Sequence, residues 1–210
     1  MIARCALLTS LVLITTIPAF AQEQTEQTER QPLAPGAEAP EFTVTTLEGV
    51  PITLTQWQGR VVVLNYFITW YRDAAEHLGM MEDLQTLYSR DGMRLLSISL
   101  DEGERGVEQV RELVREQELA HPVVVDADQE VAELYGVRAL PAIFVIGRDG
   151  EIAYYHEGYT EGDERRLSQA IAAALGVECP DGDDAGTEAA EADAQEPEEP
   201  VCNCFRQREE

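Results

Sequence analysis

The sequence has 210 residues and 44% of them are hydrophobic, so it can form one domain of ordinary size with a real core and still carry non-globular ends. Forty acidic side chains stand against fifteen basic ones, all of them arginine, and the net charge is -25 at neutral pH. Such a chain repels nucleic-acid phosphates and anionic lipid surfaces, which argues against both as partners.

The first residues are typical of a secretory signal. Arg4 supplies a positive charge, residues 7–17 form an apolar run, and Ala19-Phe20-Ala21 matches a small-x-small cleavage site. The apolar run is shorter than the roughly 20 residues that span a bilayer. We therefore predict that residues 1–21 are a signal peptide and that the mature protein is periplasmic or secreted. A retained membrane anchor is the alternative.

The segment after the signal has a polar, low-complexity part followed by an alternating apolar and polar part. Residues 22–39 are rich in Gln, Glu and Thr and then in Pro, Ala and Gly, which predicts a disordered spacer. From residue 42 to residue 54 apolar and polar residues alternate, which predicts a small hairpin turning at Glu48-Gly49. The globular domain is predicted to occupy residues 40–176.

Apolar strands and amphipathic helices then alternate along the chain. Residues 61–67 are a continuous apolar run, typical of a strand buried on both faces. The following elements are predicted as a helix at 73–89, a strand at 93–100, a helix at 104–118, a strand at 121–126, a helix at 128–135, a hairpin at 141–158 turning at Asp149-Gly150, and a helix at 162–175. This order predicts an α/β sandwich whose mostly parallel sheet has an antiparallel edge.

The composition changes again after the last helix. Residues 180–200 contain nine acidic residues and no aromatic or branched aliphatic residue, so they cannot form a core. Residues 177–210 are therefore predicted to be an acidic disordered tail, which ends in a Cys-x-Cys pair, Cys202 and Cys204.

Three stretches carry a resemblance to a known family. They are Val-Val-Val-Leu-Asn-Tyr-Phe-Ile-Thr-Trp at 61–70, Gly-Val-Arg-Ala-Leu-Pro at 136–141, and Phe-Val-Ile-Gly-Arg-Asp-Gly at 144–150. Together they resemble the thioredoxin superfamily, in particular the TlpA/ResA type of the redoxin (AhpC/TSA) group. The resemblance covers about residues 40–175. It implies a thioredoxin-like three-layer sandwich with a central mixed β-sheet and helices on both faces.

The resemblance also identifies what differs in this chain. In the family, the turn after the first central strand carries Cys-Pro-Pro-Cys, whereas here it carries Tyr71, Arg72, Asp73 and Ala74. Thiol exchange needs a low-pKa thiolate at a helix N-terminus and a second thiol to resolve the mixed disulfide. A tyrosine phenol and an alanine methyl do neither, so no catalytic residue is predicted at the family site. The sequence favours a non-catalytic module that binds an exported protein or peptide.

A peptide groove is implied by the same resemblance. Leu140-Pro141 resembles the family's cis-proline, which lies opposite the active-site turn and presents backbone to an extended peptide. We expect a cis bond there, and a groove formed by Trp70, Tyr71, Arg72, Leu140 and Pro141. A purely structural role for the proline and an incidental cluster of side chains at the turn remain alternatives.

The mature chain retains three cysteines, Cys179, Cys202 and Cys204. In an oxidising compartment a Cys-x-Cys pair can form a strained and labile disulfide. The alternative function is therefore a divergent thiol-disulfide oxidoreductase or antioxidant protein that uses Cys202 and Cys204. A structural bridge from Cys179, an intermolecular disulfide and a soft-metal site are further possibilities.

No cofactor or metal is predicted. His77, His121 and His156 lie on separate predicted elements without ligand spacing, and we expect structural or surface roles for them. The acidic residues between Asp126 and Glu130 lack the glycine of a calcium loop, so they are interpreted as a strand end and a helix cap.

Overall fold

The computed structural model describes residues 31–158 and 163–178. The predicted signal peptide, most of the predicted spacer and the predicted acidic tail from Cys179 onward lie outside these residues. None of the helices in the described ranges is long and apolar enough to cross a lipid bilayer. The strands are β1 Thr43–Thr45, β2 Pro51–Thr53, β3 Val61–Phe67, β4 Met93–Ser99, β5 Val123–Val125, β6 Ala142–Ile146 and β7 Ile152–Glu157, and the helices are α1 Ala74–Tyr88, α2 Gly103–Glu116, α3 Glu130–Tyr135 and α4 Asp163–Leu175.

A five-stranded mixed sheet forms the centre of the domain, with the strand order β5-β4-β3-β6-β7. Strands β3, β4 and β5 run parallel, and β6 and β7 are antiparallel. All seven residues of β3 are buried, which agrees with its continuous apolar sequence and its central position. The predicted α/β sandwich is confirmed, and the predicted β1-β2 hairpin is present as a separate two-stranded sheet.

Each face of the sheet carries its own apolar cluster. On one face, Val61 and Val63 of β3 pack with Met81 and Leu84 of α1 and with Ile171 of α4. On the other face, alternate residues of the same strands pack with α3 and with the N-terminal hairpin. Helix α2 joins the first face at its edge, where its Val110 meets Leu78 of α1 and Val123 of β5. These layers fix the N-terminus of α1 at the end of β3.

Most predicted element boundaries agree with the structure to within two residues, and the differences have physical reasons. The strand predicted at 121–126 is reduced to β5, since Pro122 has no N–H for a ladder. The helix predicted from 128 begins at Glu130, because the Asp126 carboxylate accepts hydrogen bonds from the Val131 and Ala132 N–H groups at 3.0 and 2.9 Å. The prediction that Asp126 caps this helix is confirmed.

The N-terminal segment reaches both edges of the sheet, and we call residues 36–47 the strap. Near one edge, Ile152 of β7 donates a backbone hydrogen bond to Ala37 at 2.8 Å and accepts one from Gly36 at 2.8 Å. At the other edge, the Leu47 N–H donates to the Val123 carbonyl of β5 at 3.0 Å. The strap therefore covers part of the outer backbone of two edge strands.

Candidate functional site

The turn between β3 and α1 is the part of the domain that the family resemblance singles out. The Tyr71 N–H donates to the Ile68 carbonyl at 3.3 Å, and the Ala74 N–H donates to the Tyr71 carbonyl at 3.1 Å. Ala74 is the first residue of α1 and is 4% exposed. Tyr71 and Ala74 thus stand at a helix N-terminus, where unpaired amides would stabilise an anion. Residues 31–178 contain no cysteine.

Asp101, just after β4, holds this turn in place. Its carboxylate accepts hydrogen bonds from the Thr69 N–H at 2.9 Å, the Thr69 hydroxyl at 2.6 Å and the Ser99 hydroxyl at 2.7 Å. Helix α2 packs closely on it, because a Cβ at Gly106 would lie 3.0 Å from the Asp101 Cβ. The backbone leading to Trp70 is therefore anchored to the neighbouring strand by a buried carboxylate with three donors.

A groove of about 540 Å³ opens beside this anchored turn. The groove is lined by Ile68 and Trp70 of the turn, by residues at the end of β4 and the start of α2, and by the loop from Val137 to Leu140. Its lining residues are Ile68, Trp70, Leu100, Asp101, Glu102, Arg105, Gly106, Gln109, Gln129, Val137, Arg138 and Leu140. Such a crevice at the carboxyl ends of parallel strands is a common ligand site in open α/β sheets. We call it the Trp70 groove.

The structure brings two of the five predicted groove residues together in the Trp70 groove. Trp70 is 77% exposed and lines the groove together with Leu140. The Leu140-Pro141 bond is cis, as predicted. Pro141 is buried, and its carbonyl accepts a hydrogen bond from the Gly158 N–H at 2.8 Å. Tyr71 is half-buried and Arg72 is exposed, and neither is among the residues that line this groove in the described part of the chain.

A chain of buried polar side chains lies on the inner side of α1. The His77 ring nitrogen Nε2 is 2.7 Å from the Asn65 Oδ1, and the Asn65 Nδ2 donates to the Ser97 hydroxyl at 3.1 Å. The Ser97 hydroxyl lies 2.9 Å from His121 Nε2, and His121 Nδ1 lies 2.6 Å from a Glu82 carboxylate oxygen. The chain starts and ends on α1 and passes through paired positions of β3 and β4.

An ordered arrangement of protons satisfies every link in this chain. His77 donates to Asn65, Asn65 to Ser97, Ser97 to His121, and His121 to Glu82. In this order His121 is neutral, because its Nε2 accepts a hydrogen bond, whereas His77 can donate through Nε2 in either protonation state. Burial lowers the pKa of His77 to about 4, against an opposing effect of Glu164. Burial also lowers the pKa of His121, against the hydrogen bond and charge of Glu82. Both shifts favour neutral rings, and for His121 the neutral ring is the form in which Nε2 accepts from Ser97.

The third histidine pairs with the start of α4. His156 Nε2 lies 2.9 Å from the Asp163 carboxylate, and His156 shares a small cavity with His77, Tyr154 and Leu167. The three histidines lie on separate elements, as predicted, but His77 is linked to His121 through the buried chain and lines one cavity with His156. Within residues 31–158 and 163–178, no group of three or more His, Cys, Asp or Glu side chains could hold a metal ion.

The sequence reasoning missed Asp101, Arg105 and Arg138 as groove residues and the links to Asn65 and Ser97. A signal for the buried chain exists in the sequence, because Asn65 is the one polar residue in the apolar run of β3. A buried amide in a central strand requires partners, and the nearest strand offers Ser97 at the paired position. The groove residues gave no such signal, since charged residues at helix and strand ends are common.

The sheet order, the helix at the end of β3 and the cis-proline loop together define a thioredoxin-like fold. Solved structures agree with this assignment. A protein of Chlorobium tepidum assigned as the thiol:disulfide interchange protein DsbE superposes with a TM-score of 0.63 at 26% identity, covering 68% of this chain and 99% of that one. A secreted disulfide oxidoreductase of Mycobacterium tuberculosis shares the fold with a TM-score of 0.55 at 22% identity, covering 63% of this chain and 95% of that one.

The sequence profile of the AhpC/TSA family matches residues 35–155. The thiol-disulfide oxidoreductase ResA of Bacillus thuringiensis subsp. konkukian is 31% identical over 142 residues, covering 68% of this chain and 80% of that protein. ResA of Geobacillus thermodenitrificans is 32% identical over 125 residues, covering 60% and 70%. The chain belongs to the AhpC/TSA family, as a redoxin of the TlpA/ResA type in the thioredoxin superfamily. Cys179, Cys202 and Cys204 lie outside the described residues, so their predicted roles stay predictions.

Proposed function

We propose that this domain is a non-catalytic binding module of the redoxin family, which holds an extended segment of an exported protein or peptide in the Trp70 groove. The observation that carries the proposal is the turn itself, where Tyr71 and Ala74 stand at the N-terminus of α1. By the family resemblance, these are the positions of the two active-site cysteines. Thiol exchange needs a thiolate as the attacking group, and residues 31–178 offer no sulfur atom except in methionines.

The geometry of the turn supports peptide binding without thiol exchange. Asp101 fixes the backbone at Thr69 through two hydrogen bonds, so Trp70 is presented from a rigid loop. An exposed indole on a pre-organised backbone is a typical anchor for a protein or peptide, because little conformational freedom is lost on binding. The half-buried Leu140, which also lines the groove, supplies a second apolar contact.

The proposal places the protein outside the cytoplasm, in the periplasm or secreted. It rests on the charged, apolar and small-residue regions of residues 1–21, which are typical of a cleaved signal. Detection of the mature N-terminus at Gln22 by mass spectrometry of the exported protein would support it. A protein that keeps residues 1–21 would contradict cleavage, and a protein found only in the cytoplasmic fraction would contradict export.

The binding experiment uses the mature chain carrying Cys179→Ser, Cys202→Ser and Cys204→Ser, with reduced and carboxymethylated α-lactalbumin as an extended polypeptide probe. We expect binding to persist without cysteine and the dissociation constant to rise at least about tenfold in Trp70→Ala, as is usual for a buried aromatic anchor. The control is Leu87→Ala, which removes an exposed apolar side chain that lies on α1 and not in the groove. This variant should leave binding unchanged. Equal binding by all three proteins would refute a groove anchored on Trp70.

A second candidate function is thiol-disulfide exchange by Cys202 and Cys204. The relatives named ResA are thiol-disulfide oxidoreductases, and this chain keeps a Cys-x-Cys pair beyond the domain. The test is dithiothreitol-driven reduction of insulin by the mature chain and by a version ending at Glu178. Turnover that is lost with the tail would establish the second function. A rate equal to the uncatalysed one in both proteins would eliminate it and leave the binding module.

A further inference from the structure

The charged groups of the Trp70 groove are not equally available to a ligand. Asp101 already accepts three hydrogen bonds, and Glu102 accepts one from the Gln129 side-chain amide at 3.3 Å. Arg105 and Arg138 form no ion pair with any residue of the described ranges. The acidic groups of the groove are thus engaged within the domain, and its two guanidinium groups are open to a carboxylate.

The rest of the groove surface is apolar. Trp70 is 77% exposed, and Ile68, Val137 and Leu140 lie on the walls near it. Arginine and tryptophan are the residue types that most often dominate binding energy at an interface. The combination fits a segment that carries carboxylates next to apolar side chains, in an extended conformation that can enter a groove between two loops.

The chain itself contains such a segment. Residues 196–205 read Glu-Pro-Glu-Glu-Pro-Val-Cys-Asn-Cys-Phe, so three carboxylates precede two large apolar side chains, those of Val201 and Phe205. The two prolines favour an extended backbone for themselves and for the residues before them. No basic residue occurs between Glu178 and Phe205, so the charges of the segment complement Arg105 and Arg138.

The segment is also long enough to reach the groove. Helix α4 ends at Leu175, and Ala174 lies beside the Gly147 and Asp149 turn of the β6-β7 hairpin, at the end of the sheet away from the groove. Seven-residue strands such as β3 are about 23 Å long. The 18 residues from Glu178 to Glu196 span about 23 Å as a random coil and about 60 Å when extended. A tether of this length gives the segment an effective concentration near 1 mM at the groove. This concentration favours binding within the molecule, against the repulsion between an acidic segment and a negatively charged protein.

We propose that the Trp70 groove receives the chain's own residues 196–205, with the glutamates on Arg105 and Arg138 and an apolar side chain on Trp70. The inference rests on the proposed function, because it describes how the same groove is regulated. The tail occupies the groove in the free protein and competes with any exogenous peptide. It also brings Cys202 and Cys204 close to the turn that carries Tyr71.

The test compares nuclear magnetic resonance spectra of the mature chain with those of the same chain ending at Glu178. The full-length protein carries Cys179→Ser, Cys202→Ser and Cys204→Ser, so that no disulfide contributes. The reporter is the indole N–H resonance of Trp70, assigned with Trp70→Phe. We expect this resonance to differ between the two chains, and the dissociation constant of carboxymethylated α-lactalbumin to fall about two- to tenfold when the tail is removed.

Charge reversals in the tail provide a matched pair of variants. Glu196→Arg, Glu198→Arg and Glu199→Arg together should return the Trp70 resonance to its position in the shortened chain. Asp181→Arg, Asp183→Arg and Asp184→Arg change the net charge by the same amount. They should leave the Trp70 resonance at its position in the full-length chain. Adding Arg105→Glu and Arg138→Glu to the first variant should restore the shift, because the charges are then exchanged.

Three results would overturn the proposal: identical Trp70 resonances in the full-length and shortened chains, equal effects of the two charge reversals, or a shift that grows with protein concentration and so arises between molecules. The proposed function is tested separately by the shortened chain. If that chain binds α-lactalbumin and the tail has no effect, the groove is a binding site without self-occupation.

Discussion

The buried polar chain beneath α1 and the Trp70 groove, which we call the inner and the outer side, differ in how completely their polar groups are paired. On the inner side, His77 belongs to a buried hydrogen-bonded chain in which each link has a donor and an acceptor. On the outer side, the groove leaves Trp70 exposed and Arg105 and Arg138 without ion pairs in the described part of the domain. The difference separates two tasks: paired groups hold the helix in place, and unpaired groups remain available to a ligand.

If this comparison is correct, inner-side substitutions reduce stability and outer-side substitutions reduce binding. The largest stability effect is expected for Asn65→Ala, which removes the acceptor of His77 and the donor to Ser97 in a fully buried strand. We expect the free energy of unfolding to fall by about 4 kcal/mol, from unsatisfied polar groups and lost packing. Urea unfolding of the mature chain measures it.

The control for Asn65→Ala is Thr43→Ala, which removes an exposed hydrogen bond of 3.1 Å to Thr53 in the small hairpin. Exposed substitutions of this kind change stability by about 0.5 kcal/mol or less. Similar losses in the two variants would contradict the special importance of the buried chain.

The next effect is a sensitivity to acid that depends on His77. Its pKa in the folded protein, about 4, lies below its ordinary value of 6.5, so the unfolded chain takes up the proton first. The stability from the neutral ring is complete above pH 6.5 and is lost as the pH falls toward 4, by about 3 kcal/mol. His77→Gln should lose correspondingly less stability between pH 7 and pH 4.5 in urea unfolding. An equal acid loss in both proteins would contradict a neutral buried ring.

A smaller stability effect is expected at Asp101, which lines the groove and fixes the turn before Trp70. Asp101→Asn replaces one acceptor oxygen with a donor that faces the hydrogen-bond donors of Thr69 and Ser99. We expect a stability loss of about 2 kcal/mol and weaker binding, since the turn is no longer fixed. The control Asp128→Asn, at an exposed position, should change neither quantity. A loss of stability with unchanged binding would contradict a role for Asp101 in positioning the turn for the ligand.

The smallest stability effect is expected for Trp70→Ala. The side chain is mostly exposed, so the free energy of unfolding should change by about 0.5 kcal/mol or less even though binding is weakened. Thermal unfolding monitored by circular dichroism measures it. A loss of several kcal/mol would assign Trp70 to the folded core and remove the distinction between the two sides.

The strands and helices were predicted well from the sequence, because the spacing of apolar residues and the turn residues determine where they begin and end. The apolar run of β3 and the Asp149-Gly150 turn gave strand positions that the structure confirms. The groove was predicted only in part: Trp70 and Leu140 were found, whereas Arg105 and Arg138 were not. Those two come from a helix start and a loop that are distant in sequence, and no local pattern indicates that the fold places them together. The buried chain was missed for the same reason, since His77 and His121 meet only through the register of β3 and β4.

The strap has a consequence for how this protein is made. Residues 36–47 are synthesised before β2 and every later strand and helix, but their backbone partners include Val123 of β5 and Ile152 of β7. The hydrogen bonds between the strap and β7 can therefore form only after nearly the whole domain has been synthesised. Contacts of such high sequence separation slow folding, and a nascent chain that stops before the β6-β7 hairpin cannot complete the sheet. The domain is thus closed only once almost all of it has been synthesised.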